Sequence, residues 1–315
     1  MNPPILHHYP VSPFAEKIRT MLAYKKIAWQ SVQIPMVMPK PDLVALTGGY
    51  RRTPVLQTGA DVWCDTALIA RVLERMAPKP TLFPYGDSFA MQAASHFADN
   101  VMFNITVPIG FQPGGGMIKH FLPDAGPEFL AAFGKDRAAM RQGGTVRRGS
   151  LAECKANMRG LLPMVEAQLP RHSYLFGAEP CIADFALYHV LWPIWKVADT
   201  RAMLAPFPKT EAFVARMAAI GNGQSTEISA ERALEIAKGT KPEMIANPEA
   251  LETGGITLGE QVSVMPVDYG LDPVKGELMT CGANEIAVRR TDPRAGTVVV
   301  HFPRFGYQMA RAERS

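Results

Sequence analysis

The segment Tyr9-Pro-Val-Ser12-Pro13-Phe14 carries the first group in this sequence that is placed to do chemistry. A short apolar run ends there, the chain turns, and an amphipathic run begins, so Ser12 stands at the N-terminus of a predicted helix. Proline suits the first helical position, where a backbone N–H would be unpaired anyway. Capping by the serine oxygen accounts for Ser12 without any further role. The place has a second use, because the positive end of a helix lowers the pKa of a thiolate held against it. A hydroxyl there donates to the sulfur. Tyr9, three residues earlier, offers a phenol whose pKa is nearer that of a thiol and competes for the same role.

A second motif is Arg51-Arg52-Thr53-Pro54-Val55-Leu56, with proline directly ahead of the apolar strand VLQT. Central strands tolerate proline poorly, which puts Pro54 at the strand's first position or in a special turn. A trans proline in a loop would satisfy that. A cis Thr53–Pro54 bond would instead turn the N–H and C=O of Val55 outward, to pair with a peptide ligand as an added strand does. In a third motif, Trp63-Cys64-Asp65-Thr66, Asp65 and Thr66 fall at another helix start. Either residue is a good cap. With the N–H groups of that helix start they also suit a zwitterionic amino-acid head, the amides taking its carboxylate.

These groups need a scaffold. From residue 3 to about 80, short apolar strands alternate with amphipathic runs in the order βαβ then ββα, ending at Pro78-Lys79-Pro80. That order predicts a thioredoxin-like unit over 1–80. Residues 85–245 read as all-helical, with helices near 87–107, 126–142, 150–169, 182–198, 208–220 and 229–238 and a loop over 108–117. Beyond 250 the runs GITLGEQVSVMPV, KGELMTCG, NEIAVRR and GTVVVHFPR predict a small all-β unit over 250–315. Closing it into a little barrel would remove its exposed edges. The expected class is therefore multidomain: α/β, all-α and small all-β.

The three motifs, followed by Glu179-Pro180-Cys181-Ile182-Ala183-Asp184-Phe185, resemble the glutathione transferase superfamily over roughly residues 4–220. Asp184 matches the family's S/T-x-x-D capping box, while Cys181 departs from it with a weaker hydrogen-bonding group. The resemblance implies that Ser12 faces the sulfur of glutathione and that Val55, after Thr53 and Pro54, pairs with the cysteinyl backbone. It further implies that Asp65 and Thr66 hold the γ-glutamyl end and that Arg52 meets the glycyl carboxylate. Such families place Tyr, Ser or Cys at the sulfur, and here Ser12 is favoured over Tyr9. Ser12-Pro13-Phe14-Ala15 stands where a dithiol relative has C-P-F-C, so neither end supplies the sulfur that disulfide exchange needs.

The implied activity is an enzymatic conjugation of glutathione, as co-substrate, to an electrophilic or hydrophobic small molecule, by a homodimer. The acceptor would lie between Phe14 and the first long helix, against Phe97, Asn100, Met102 or Phe103. The alternative is a noncatalytic binding protein that keeps this scaffold and meets a partner through the C-terminal β unit. Within that unit, Val264–Val274 places Tyr269 between Asp268 and Asp272, either as a binding loop or as ordinary turn chemistry.

Composition narrows the field. A net charge of +4, with dense basic spots only at Lys25-Lys26, Arg51-Arg52 and Arg147-Arg148, argues against a nucleic-acid surface. The seven histidines lack H-E-x-x-H spacing, and Cys64, Cys154, Cys181 and Cys281 form no close pair, so no metal site is expected. Scattered reduced thiols, a start MNPPILHHY without a basic region, and no membrane-length apolar run predict a cytoplasmic protein that engages no membrane.

Overall fold

The computed structural model describes residues 3–111 and 116–312. The chain opens with β1 (Ile5–His8), α1 (Pro13–Tyr24), β2 (Trp29–Gln33), α2 (Pro41–Thr47), β3 (Val55–Thr58), β4 (Asp61–Cys64) and α3 (Thr66–Met76). β1 lies parallel to β2 and antiparallel to β3, which lies antiparallel to β4. This is the expected thioredoxin-like arrangement, with α2 as a helix that the sequence reading did not foresee. Pro41 opens α2 and Gly48, at φ 78°, ends it in the left-handed region that a residue without Cβ adopts freely.

The helical layer follows as α4 (Phe89–Phe97), a π-turn over Ala98–Met102, α5 (Phe103–Gly110), α6 (Met117–Phe121), α7 (Pro127–Arg141), α8 (Leu151–Gln168), α9 (Ile182–Lys196), α10 (Ala198–Arg201) and α11 (Pro208–Ala218). The loop expected over 108–117 falls partly outside the described residues, and its ends belong to α5 and α6. Every residue of α9 from Ile182 to Ile194 is buried, and α1, α4, α5 and α11 pack around it. Asp184 starts this helix by accepting the N–H groups of Cys181 at 2.9 Å and Leu175 at 2.8 Å. The carboxylate half of the capping box is thus made despite the cysteine.

The π-turn splits the helix expected at 87–107 and puts Asp99 against α1 and α9. Its carboxylate lies 2.7 Å from Lys17 Nζ and 2.8 Å from His189 Nε2. Burial opposes its charge, but Lys17 and then His189 hold the Asp99 carboxyl below its ordinary range. This buried cluster rivets the helical layer to the α/β layer.

After α11 the chain returns to the sheet. β5 (Ser225–Glu227) pairs in parallel with β2, and α12 (Ala230–Lys238) packs on α2. Then β6 (Gln261–Pro266), β7 (Val274–Cys281), β8 (Glu285–Asp292), β9 (Gly296–Pro303) and β10 (Tyr307–Arg311) form an antiparallel run in the order β10-β6-β7-β8-β9. The β segment is present as expected, but it does not close into a barrel. β9 instead pairs in parallel with β4, Trp63 opposite His301, to give one ten-stranded sheet of order β10-β6-β7-β8-β9-β4-β3-β1-β2-β5. The β9 edge is covered by joining the first sheet, and β10 and β5 are left as the outer strands. Val262, Val288 and Val300 share one core with Leu43, Val62 and Leu234, so the late strands are buried against early elements and have no separate core.

His301 locks this junction. Its Nε2 lies 3.0 Å from Asp61 and its Nδ1 2.6 Å from Glu285, while its ring stacks on Trp63 at 3.7 Å. Burial works to lower its pKa, but the two carboxylates prevail and raise it above the ordinary 6.5. A histidine whose pKa is raised on folding contributes stability fully below about pH 6.5, and the contribution is lost as pH rises through the folded value. His301→Ala leaves Asp61, only 1% exposed, without its cation and is expected to cost about 3 kcal/mol near pH 6. Urea unfolding near pH 6 and pH 9 checks this: the cost should shrink at the higher pH, and equal costs would count against a charged imidazole.

Candidate functional site

Ser12 takes up its position from backbone geometry alone. It is the N-cap of α1 in extended conformation, with Pro13 first in the helix, and its Oγ accepts the Ala15 N–H at 3.2 Å. That contact uses one lone pair of the hydroxyl. Among the described residues no acceptor takes its proton, and the side chain lines a cavity of about 730 Å³. Tyr9, Phe14, Arg52 and Thr53 line the same cavity. Capping and donation to a ligand are therefore compatible at one serine.

One wall is cationic. Lys40, Arg51, Arg52 and Arg137 line it, and the carboxylates against them are Asp136, shared by Arg51 and Arg137, and Asp268, on Arg52. Lys40 Nζ lies 3.4 Å from the Arg51 carbonyl and Thr53 Oγ1, and pairs with no carboxylate among the described residues. Burial first, then Arg137, push Lys40 down to about 7, with Arg51 adding to the shift and Asp136 opposing it. Tyr9 is bound into this wall, its hydroxyl accepting from Arg137 at 3.1 Å. Much of the remaining lining is apolar: Phe14 packs on Phe103 at 4.6 Å, Val107, Phe111 and Leu151 line the cavity as well, and Phe133 lies under the Arg137 guanidinium at 4.5 Å. An amphiphilic anion matches such a surface.

The remaining expected residues divide. The Thr53–Pro54 bond is cis, and Thr53 faces the cavity. Val55 does not: it is fully buried in β3, paired with His7 on one side and Cys64 on the other. Its backbone belongs to the sheet, and the residue of this turn that faces the cavity is Thr53, one place before the proline. Asp65 and Thr66 do not line the cavity either. Asp65, held at φ 74°, caps Ala67 N–H with one oxygen at 3.0 Å and accepts from Tyr307 with the other at 3.1 Å. Thr66 is buried, with its hydroxyl 3.4 Å from Lys17 Nζ.

Of the acceptor residues expected on the first long helix, Phe103 faces the cavity. Phe97, Asn100 and Met102 do not. The π-turn inserts an extra residue into the helical repeat there, which breaks the spacing from which they were inferred. Sequence reasoning missed Lys40, Phe133, Arg137 and Tyr269 as lining residues. Tyr269 alone left a signal, as the aromatic between two acidic residues. Among the described residues no three His, Cys, Asp or Glu gather as a metal site, and no helix is long and apolar enough to cross a membrane.

A family model described as glutathione S-transferase, N-terminal domain, matches residues 6–81, and one described as glutathione S-transferase, C-terminal domain, matches 126–220. A solved GST-like protein from Pseudomonas syringae is 37% identical, aligned over 99% of this chain and 100% of its own, with a TM-score of 0.81. The chain belongs to the glutathione S-transferase superfamily. That relative matches it along the C-terminal strands as well as the two family domains. At the level of fold alone, a glutathione S-transferase from Rhodospirillum rubrum F11 aligns at 20% identity and TM-score 0.50, over 69% of this chain and 88% of its own. Glutathione transferase F7 from Populus trichocarpa aligns at 13% and 0.51, over 69% and 93%. No curated protein matches the chain.

In this transferase-family cavity, Lys40 is a cation that neutralises near pH 7. An anion bound there should loosen as pH rises through that value. Titrating S-methylglutathione, which has no ionising thiol, between about pH 6 and 8.5 is expected to show affinity falling about fivefold. Lys40→Gln should bind weakly throughout and flatten the profile. An unchanged slope in the variant would assign the titration elsewhere.

Proposed function

We propose that this chain is a glutathione transferase that joins the glutathione thiol to an electrophilic, largely apolar small molecule. The observation that carries the reading is the Ser12 hydroxyl, at the N-terminus of α1, opening into a cavity with a cationic wall and much apolar lining. The cations suit a thiolate tripeptide with two carboxylates, and the wall of Phe14, Phe103 and Phe111 suits its acceptor.

In this mechanism the thiol releases its proton to solvent and Ser12 donates its hydroxyl hydrogen to the sulfur anion. The helix N-terminus adds its positive field. The thiolate lone pair forms the new bond to the electrophilic carbon, and that carbon's leaving group departs with the bonding electrons. Thr53, after which the chain turns through the cis bond at Pro54, is the backbone partner for the cysteinyl unit in place of Val55. Arg52 takes the glycyl carboxylate; Asp65 and Thr66, which lie outside the cavity and are engaged by Tyr307 and Lys17, are not given the γ-glutamyl end. Tyr9 serves by fixing Arg137 through its phenol.

The buried, unpaired thiols of Cys64, Cys154, Cys181 and Cys281 support a reducing, cytoplasmic setting. A second copy of the chain is the macromolecular partner we assign. Apolar side chains left exposed along the α4 region, Phe89 at 87%, Phe97 at 43% and Val101 at 45%, support it.

Conjugation of glutathione to a chlorodinitrobenzene tests the mechanism. Ser12→Ala is expected to lower kcat/KM about a hundredfold, and Tyr9→Phe less than about threefold. Turnover unchanged in both would remove these assignments.

A further inference from the structure

The proposed function gives Arg52 a carboxylate to bind, yet Arg52 already holds one. The segment Val267–Asp272 connects β6 to β7, and its Tyr269 lines the cavity. Asp268 pairs with the Arg52 guanidinium, the Tyr269 carbonyl accepts its Nε–H at 3.2 Å, and the Tyr269 ring covers the guanidinium face at 4.0 Å. The far side of this strap is stitched to the helical wall. Gly270 N–H donates to Met140 O at 2.6 Å, and Thr145 N–H donates to Asp268 O at 2.8 Å.

The contact is tight. A Cβ on Gly144 would stand 2.0 Å from the Asp268 carbonyl, so only a residue without one lets the strap lie down. A second C-terminal group engages an early acid outside the cavity, where Tyr307 donates to Asp65 and is itself bridged to Tyr50 at 3.2 Å. Residues late in the chain thus engage two charged groups of the early sequence, Arg52 in the cavity and Asp65 outside it.

We propose that the Asp268–Gly270 strap is an internal rival of the ligand, with the Asp268 carboxylate occupying the seat of the glycyl carboxylate on Arg52. This inference rests on the assignment of Arg52 as a glutathione ligand. Glutathione binds by displacing the strap: its carboxylate replaces that of Asp268, and the ring of Tyr269 withdraws from the guanidinium. Asp272-Pro273 on one side and Pro266 on the other bracket the moving segment, and Gly270, at φ 59°, supplies its pivot. Affinity is then lowered by the fraction of molecules whose strap is closed, which makes Asp268 a determinant of which thiols enter.

Calorimetric titration of glutathione into the full chain and two variants tests this. Asp268→Asn keeps the shape of the strap and removes its charge. Gly144→Ala keeps the charge and pushes the strap away. Both are expected to bind glutathione about tenfold more tightly than the parent chain. If the parent binds and neither variant binds more tightly, with melting temperatures unchanged, the strap proposal is overturned and the transferase reading stands. Tighter binding by the variants together with absent conjugation supports the strap and sinks the transferase chemistry. No binding of glutathione by any of the three overturns both.

Discussion

The pairing of β4 with β9, locked by His301 between Asp61 and Glu285, is the contact on which the arrangement of the site depends. A four-stranded thioredoxin-like sheet ends at β4 with a row of unpaired backbone groups. Here that edge is filled by a strand from the far end of the chain, and with it come the strap at 267–272 and Tyr307. Once β9 is fixed, Asp268 reaches Arg52 and Tyr307 reaches Asp65. The C-terminal strands are therefore part of the cavity's electrostatics as much as of its support.

Electrostatic accounting inside the cavity follows from a shortage of acids. Asp136 serves two arginines, Asp268 serves one, and among the described residues the buried Lys40 has a carbonyl, a hydroxyl and the Tyr9 ring beside it but no carboxylate partner. Desolvation and like charge both favour loss of its proton. An anion arriving there gains more than it would at a surface lysine, because it also relieves the repulsion among the cations. The apolar wall then restricts the water that would otherwise screen them.

Much of this was legible locally. Ser-Pro at the start of α1, the proline before β3 and Asp-Thr at the start of α3 are capping and turn signals that a few residues determine, and all three elements form where they were expected. The amphipathic spacing of α7, α8, α11 and α12 was also readable within a residue or two. What escaped was decided at long range. Nothing near Val299 announces that its partner is Asp61, so a barrel was a reasonable way to close edges that in fact close on another sheet. Val55 was misplaced because a strand flanked on both sides leaves no backbone for a ligand, and the flanking strand β4 follows it in sequence. The π-turn at Ala98–Met102 has no signature in residue type, and the lining lies beyond it, at Phe103, Val107 and Phe111 and not at Phe97 or Asn100.

The distance along the chain between the partners of the His301 lock has a consequence for biogenesis. Asp61 and His301 are 240 residues apart, and at ordinary ribosomal speeds that interval lasts on the order of tens of seconds. Throughout it the nascent β4 edge and the apolar face beneath α2 wait for strands that have not been made. The pocket reaches its final charge pattern only after the C-terminal segment that carries Asp268 and Tyr307 has emerged.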